Sequence, residues 1–349
     1  MKALISSLAL FICMWCFAEP QPKPMYITDF REISPPIHAL NFTWGENSQI
    51  IYSCFRERRL IYLYDLKTGE KHLISLGRYP TFRKPDPSSG CLSSIYFLRP
   101  TGHHNESELW RYSICPNYKE ESKVSNAVID IFDEIYLSPS DDTMFAYRYS
   151  VCMADGGFKQ VRLTKVSRYP HNDSETKVLY SQEIGSLLPL PTISGWLDDK
   201  HLVCFLDDIP YILSTEPGIL IDPKNRGFPV NPADWDKLKN YPNDGKLLHK
   251  GLSSFDKVVI PGSNFAPDGL SYIVYSEKEN RLIQRSLKGK EITSVSLPVE
   301  FEPRYYIRGD HPRFSRDGRH ICFIGLKRTR ERHTKPILWI ADVRWGEGE

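Results

Sequence analysis

Pro312-Arg313-Phe314-Ser315-Arg316-Asp317-Gly318-Arg319-His320-Ile321-Cys322-Phe323, with Ile337-Leu338-Trp339-Ile340-Ala341-Asp342-Val343 downstream, decides the fold. A short apolar run meets an Asp-Gly turn, a second apolar run follows, and after a polar stretch a third begins. An Asp-Gly pair between alternating apolar residues is a strong local signal for a hairpin, so the stretch predicts three antiparallel strands with no helix between them. Three strands alone bury too little apolar area to be stable, so the unit is expected to recur.

It recurs through the chain. Trp44-Gly45-Glu46-Asn47 precedes Ile50-Ile51-Tyr52, Leu137 to Asp142 precedes Met144 to Tyr147, and Trp196-Leu197-Asp198-Asp199 precedes Leu202 to Phe205. Phe265-Ala266-Pro267-Asp268-Gly269 before Tyr272 to Tyr275 is the nearest copy, and Phe82 to Pro87 before Ile95-Tyr96-Phe97 is a degenerate one. With the terminal unit this makes six. An aromatic-x-Pro-Asp-Gly turn feeding a β-rich run, then a strand of the Leu-Trp-Ile-Ala-Asp type, resembles the repeat of TolB-like β-propellers and of the propeller domains of prolyl oligopeptidase relatives. The resemblance spans nearly all of the chain after its leader. It implies an all-β, six-bladed β-propeller of four-stranded antiparallel blades, and an association with envelope protein complexes.

Composition agrees with many short strands joined by turns: Gly 21 and Pro 26 together make 47 of 349 residues, and no segment keeps a helical period. A net charge of +2 excludes a strongly basic nucleic-acid coat, and no nucleic-acid partner is expected. Met1-Lys2, the apolar run to Phe17, and Ala18 before Glu19-Pro20 have the three regions of a secretory signal. Residues 1–18 are therefore read as a signal peptide and 19–349 as one propeller domain that is secreted or periplasmic. No integral membrane segment is expected after cleavage, because the apolar run is too short to span comfortably. Met14-Trp15 before Cys16 lacks the small residues of a lipid-attachment site.

Losing Cys13 and Cys16 with the leader leaves Cys54, Cys91, Cys115, Cys152, Cys204 and Cys322. Cys54, Cys152, Cys204 and Cys322 fall on second strands, where a small apolar side chain packs between blades. Cys91 and Cys115 share a unit and are the one pair singled out as candidates for a bridge. In the last unit too few residues follow Val343 for a fourth strand. Met25 to Phe30, which alternates correctly and belongs to no other unit, is expected to close that blade, pairing around Leu338 to Ala341, because an open edge exposes unpaired backbone groups. The β pattern lapses over about 214–256, read as an insertion between blades four and five. Its one candidate helix is Asn231 to Lys239, with Asn231 as cap and Pro232 in the first turn.

No Gly-x-Ser-x-Gly, phosphate-binding loop, Gly-x-Gly-x-x-Gly or His-Glu-x-x-His is present, so no catalytic residue, cofactor or metal site is assigned. His103-His104 with Glu106 and Glu108 is read as a polar loop, since adjacent histidines rarely face one ion. The recurring aspartates are turn residues. Asn41, Asn105 and Asn172 head glycosylation sequons, which matter only in a host that glycosylates.

A basic surface emerges from the blade geometry. Loops between second and third strands share one face with the connections between blades. There blade one presents Arg56, Arg58 and Arg59, blade six presents Arg328 and Arg330, and the connection into blade six adds Arg304, Arg308 and His311. Asp155, Asp207 and Asp208 stand at the matching loops of blades three and four. The resulting expectation is a binding scaffold that engages a protein or anionic envelope polymer on the basic face. The alternative is an enzyme: Gly309 to Ser315 looks like a stretch of oligogalacturonate-lyase-like propellers, which implies that His311 and Arg308 act on an anionic uronate, with Arg neutralising the carboxylate.

Overall fold

A computed structural model describes residues 20–33, 37, 39–46, 48–54, 60–84, 93–101, 107–115, 118–124, 135–139, 144–154, 158–168, 177–183, 192–206, 209–214, 252, 257–276, 279–297, 312–328 and 334–346. Strands β1 (Met25–Glu32), β2 (Ala39–Trp44), β3 (Gln49–Cys54), β4 (Leu60–Asp65), β5 (Lys71–Leu76), β6 (Arg78–Arg83), β7 (Ser93–Pro100), β8 (Ser107–Ile114) and β9 (Lys119–Lys123) open the chain. β10 (Ile135–Leu137), β11 (Met144–Ala154), β12 (Phe158–Arg168), β13 (Lys177–Glu183), β14 (Thr192–Asp198), β15 (His201–Leu206) and β16 (Ile209–Ser214) follow. β17 (Ser271–Ser276), β18 (Arg281–Ser286), β19 (Glu291–Ser296), β20 (Arg313–Phe314), β21 (His320–Arg328) and β22 (Thr334–Trp345) complete it.

These strands form antiparallel meanders in chain order, β2 to β5, β6 to β9, β10 to β13, β14 to β16 and β17 to β19, while the last sheet runs β20-β21-β22-β1. Four of the sheets have four strands. The other two have three among the described residues, and before β17 the expected first strand shrinks to one bridge, Phe265 to Tyr272. The second strands are buried along almost their whole length, as in Ile50 to Cys54, Ile95 to Leu98, Tyr272 to Tyr275 and Ile321 to Ile324. A strand buried on both faces needs a sheet on either side, which is the stacking of a β-propeller.

Side-chain packing shows that stacking seam by seam. Ile51 and Ile61 pack with Ile95 and Phe97, joining the first two sheets, and Tyr96 and Leu98 pack with Ile135 of the third. The Trp196 indole donates to the Tyr136 carbonyl at 2.8 Å, bridging the third and fourth. Val203 and Phe205 meet Tyr272 and Val274, and Ile273 and Tyr275 meet Phe314 and Phe323. Finally Trp44, Ile50 and Tyr52 share a cluster with Cys322, Ile324, Leu338 and Ile340, so the sixth sheet packs on the first.

The Asp-Gly turns hold as expected. Gly269 has φ +73° and Gly318 φ +68°, a region glycine enters without penalty. Both turns make the same backbone bonds, Gly269 N to Ala266 O and Gly318 N to Ser315 O, each 2.9 Å. A Cβ on Gly318 would lie 2.2 Å from Cγ of Pro267, so this glycine is also required by contact with the preceding sheet's turn.

β1 pairs antiparallel with β22, matching Met25 with Trp345 and Thr28 with Asp342, then Arg31 with Ile340 and Glu32 with Trp339 across an irregularity. Asp29, at φ +53°, sits at the irregularity, and Phe30 packs edge-on to Phe323 with ring centroids 6.3 Å apart. The pairing thus runs further toward Trp345 than the span Leu338 to Ala341 that the pattern suggests, because Ile27 and the fully buried Met25 face the cluster that contains Val343 and Ala341. Cys54, Cys204 and Cys322 are buried thiols, and Cys115 is disulfide-bonded. Cys91, the side chain of Cys152, the leader 1–18 and the candidate helix Asn231 to Lys239 lie outside the described residues. No helix among the described residues is long and apolar enough to cross a membrane.

Candidate functional site

The residues singled out in the sequence fall largely beyond what can be placed. Arg56, Arg58, Arg59, Arg304, Arg308, His311 and Arg330 lie outside the described residues, and only the backbone of Arg328, the last residue of β21, is described. The polar loop with His103, His104 and Glu106 is outside as well. Glu108 beside it is described, and it accepts from Trp110 at 3.1 Å and pairs with Lys123. The bond from Lys123 holds the Glu108 carboxyl below its ordinary value against the opposing effect of burial. Glu108 is thus a strand-pairing residue. Among the described residues no cluster of three or more His, Cys, Asp or Glu could hold a metal.

The described structure instead places a cleft of about 530 Å³, with charged side chains in its lining, at the seam between the first and sixth sheets. Its lining comes from Arg31 of β1, Ser48 between β2 and β3, Leu66 and Lys67 of the β4–β5 turn, Asp317 and Arg319 of the β20–β21 turn, and His320 at the start of β21. These turns join first to second and third to fourth strands. They leave the sheets at the end opposite the β3–β4 and β21–β22 connections that carry the basic loops.

Local chemistry fixes the cleft walls. The Ser315 hydroxyl donates to Asp317 at 2.6 Å and accepts the His320 N–H at 3.0 Å, closing the turn. His320 lies nearly parallel to the Trp44 ring, with centroids 6.4 Å apart and planes at 19°. Trp44 is itself pinned by its indole N–H, which donates to the Arg313 carbonyl at 2.9 Å. Nδ1 of His320 is 3.0 Å from Oδ1 of Asp342, and the Arg31 guanidinium donates to the same oxygen at 2.9 Å. Burial would raise the Asp342 pKa, but the bonds from Arg31 and His320 outweigh it and hold the carboxyl below its ordinary 3.8. An ionised Asp342 requires the proton on Nδ1, so the imidazole presents a fixed orientation.

Arg316 precedes the cleft residue Asp317 in the same turn. From the β20–β21 turn its guanidinium carbon lies 4.7 Å from the centroid of the Phe82 ring of β6, in the second sheet. Burial pushes its pKa down, and the Glu46 carboxylate partly offsets that. Arg31, Lys67 and the adjacent pair Arg319-His320 come from three distant parts of the chain and gather on the face opposite the basic loops. One signal was available: Lys67 and Arg319 both sit in tight Gly-containing turns of adjacent sheets.

No protein-family model matches the chain, and no curated protein does. Among solved structures, TolB from Acinetobacter baumannii is 17% identical with a TM-score of 0.36; the alignment covers 77% of this chain and 53% of that one, so the chain spans about half its length. The Penicillium chrysogenum α-L-arabinanase complexed with arabinobiose is 12% identical, covering 91% and 98%, with a TM-score of 0.47. The Fusarium graminearum α-L-arabinofuranosidase Arb93A is 11% identical over the same shares, with a TM-score of 0.45. At these scores the functional argument rests on the chain's own residues.

Proposed function

We propose that the sheets are the six blades of one ring spanning residues 19–349, completed by β1, and that the exported protein works as a TolB-like binding scaffold for a protein or anionic polymer. The observation that carries this reading is the seam between the sixth and first sheets. Cys54, at the end of β3, shares a buried cluster with Ile324 of β21 and Leu338 of β22, so the β3–β4 and β21–β22 connections leave neighbouring sheets at one end. Arg56, Arg58 and Arg59 occupy the first connection and Arg330 the second, with Arg328 at its edge. Cations within a Debye length, about 8 Å at physiological ionic strength, reinforce one another toward an acidic partner.

The test is capture from the exported compartment by the wild-type protein and by a variant with Arg58, Arg59, Arg328 and Arg330 replaced by Ser. Surface changes shift stability by only about 0.5 kcal/mol each, so the variant is expected to fold. Its capture and the salt dependence of that capture should both fall. Capture that stays equally strong and equally salt-sensitive would remove the basic loops from the reading. An unsaturated product released from polygalacturonate, abolished by His311→Ala, would replace the scaffold with a uronate lyase.

A further inference from the structure

We propose that the cleft at the seam of the first and sixth sheets binds a compact oxyanion, a carboxylate or phosphate carried by a ligand of about one or two sugar units. The cleft stands on the face opposite the basic loops and does not depend on them.

Charge balance is the first argument. Arg31, Lys67 and Arg319 enter the cleft lining from a strand and two turns, Asp317 is the carboxylate in that lining, and Asp342 reaches it through its bond to Arg31. Asp342 is already taken by Arg31 and His320. Asp317 accepts from the Ser315 hydroxyl and from the Arg319 backbone N–H at 3.2 Å. The nearby Asp65 accepts the backbone N–H groups of Lys67 and Thr68, at 2.8 and 3.4 Å. The acidic groups are thus committed to turn bonds and the Arg31 pair, while the exposed Lys67 and Arg319 side chains make no ion pair among the described residues. Two donors with no acceptor among the described residues, on turns stiffened by these bonds, are arranged for an acceptor from outside.

Size and orientation supply the second argument. About 530 Å³ falls in the range of small-molecule sites, roughly 300–1,000 Å³. The His320 ring is fixed by Asp342 and Trp44, and Leu66 contributes an apolar floor. The cleft therefore brings cations and an oriented imidazole into one lining, which suits a ring bearing one anionic group. Because Arg31 belongs to β1, an occupied cleft also ties the N-terminal strand to both sheets at once. A ligand that binds only this assembled state stabilises it by mass action.

Calorimetric titration with inorganic phosphate, galacturonate and neutral galactose, at ionic strength held constant with chloride, tests the site and separates the two anion sources. Hydrogen exchange of the Met25 to Glu32 amides is followed in parallel. Phosphate or galacturonate, or both, should bind saturably and slow exchange in β1, and galactose should do neither. Lys67→Ser with Arg319→Ser should weaken binding at least about tenfold and abolish the protection. The charge-matched control, Lys119→Ser with Lys290→Ser on exposed positions of other sheets, should behave as the wild type. A response that never saturates, or one that both double variants share equally, would overturn the proposal. A folded Lys67, Arg319 variant, shown by an unchanged melting curve, makes its loss of binding a statement about the cleft.

Discussion

The N-terminal segment is held at two places, and the two clasps are built on opposite principles. At its start the clasp is neutral and dry. Gln284 on β18 is fully buried, accepts the Met25 N–H at 2.8 Å, and donates to the Lys23 carbonyl at 2.8 Å and the Ser271 hydroxyl at 2.9 Å. At its end the clasp is charged and half-exposed, with Asp342 gripping Arg31 and His320. Ser271 and His320 occupy the same position, the first residue of the second strand after an Asp-Gly turn. Each bonds to a polar side chain on the third strand of its own sheet, and that side chain reaches β1. Where water is excluded, an amide satisfies backbone groups without the penalty of a buried charge; where water reaches, an ion pair is tolerated but screened.

The sharpest way to break the comparison is to remove what both clasps hold. Deleting Met25 to Glu32 bares the edge of β22 and empties the sites of Met25 and Ile27. A loss of several kcal/mol is expected, since removing one such buried side chain costs about 2–5 kcal/mol. Urea unfolding should show it, and light scattering should show association through the bared edge. A midpoint that does not move would mean β1 contributes nothing to stability.

Gln284→Leu separates the clasps. It keeps the volume roughly but leaves the Met25 N–H and Lys23 carbonyl buried without partners, at a cost of about 1–3 kcal/mol. The loss should be the same from pH 3 to pH 8, because the Gln284 amide does not titrate. A pH-dependent difference from the wild type would show that the dry clasp communicates with the charged one.

Asp342→Asn has the smallest effect, about 1 kcal/mol or less, as for a partly exposed ion pair. Its pH signature is the informative part. A carboxyl whose pKa is lowered by folding adds stability at pH values above its unfolded value, and that stability is lost as pH falls through the folded value. The wild-type advantage over Asp342→Asn should therefore be full above about pH 4 and vanish in more acidic solution, measured by urea unfolding across the range. A difference that grows as pH falls would contradict the assigned direction.

How far the sequence reveals this can be traced residue by residue. The turns at Phe265 to Gly269 and Phe314 to Gly318 were legible because their chemistry is local: one glycine at positive φ and one aspartate bonding within the turn. Asp268 accepts the Leu270 N–H at 2.9 Å in the same way. That β1 belonged with the last sheet followed from alternation and from the missing strand, whereas its register depended on where Met25 and Ile27 could be buried. Gln284 was not legible, since a glutamine between Ile283 and Arg285 reads as an ordinary solvent-facing strand residue. Two of its three partners stand 259 and 261 residues away. The cleft stayed hidden for the same reason, because its cations gather only once two sheets and the first strand have met.

That separation has a consequence for how the chain is made. Arg31 and Asp342 are 311 residues apart, so β1 leaves the ribosome long before the strand it must join. At synthesis rates of about 5–20 residues per second, the interval is roughly 15 s to a minute. During it β1 is an orphan with one buried-type face exposed, while the intermediate sheets can stack as they emerge. The β1–β22 pairing thus cannot form before the last strand has been made. A nascent or truncated product that stops before β22 carries an unclaimed strand.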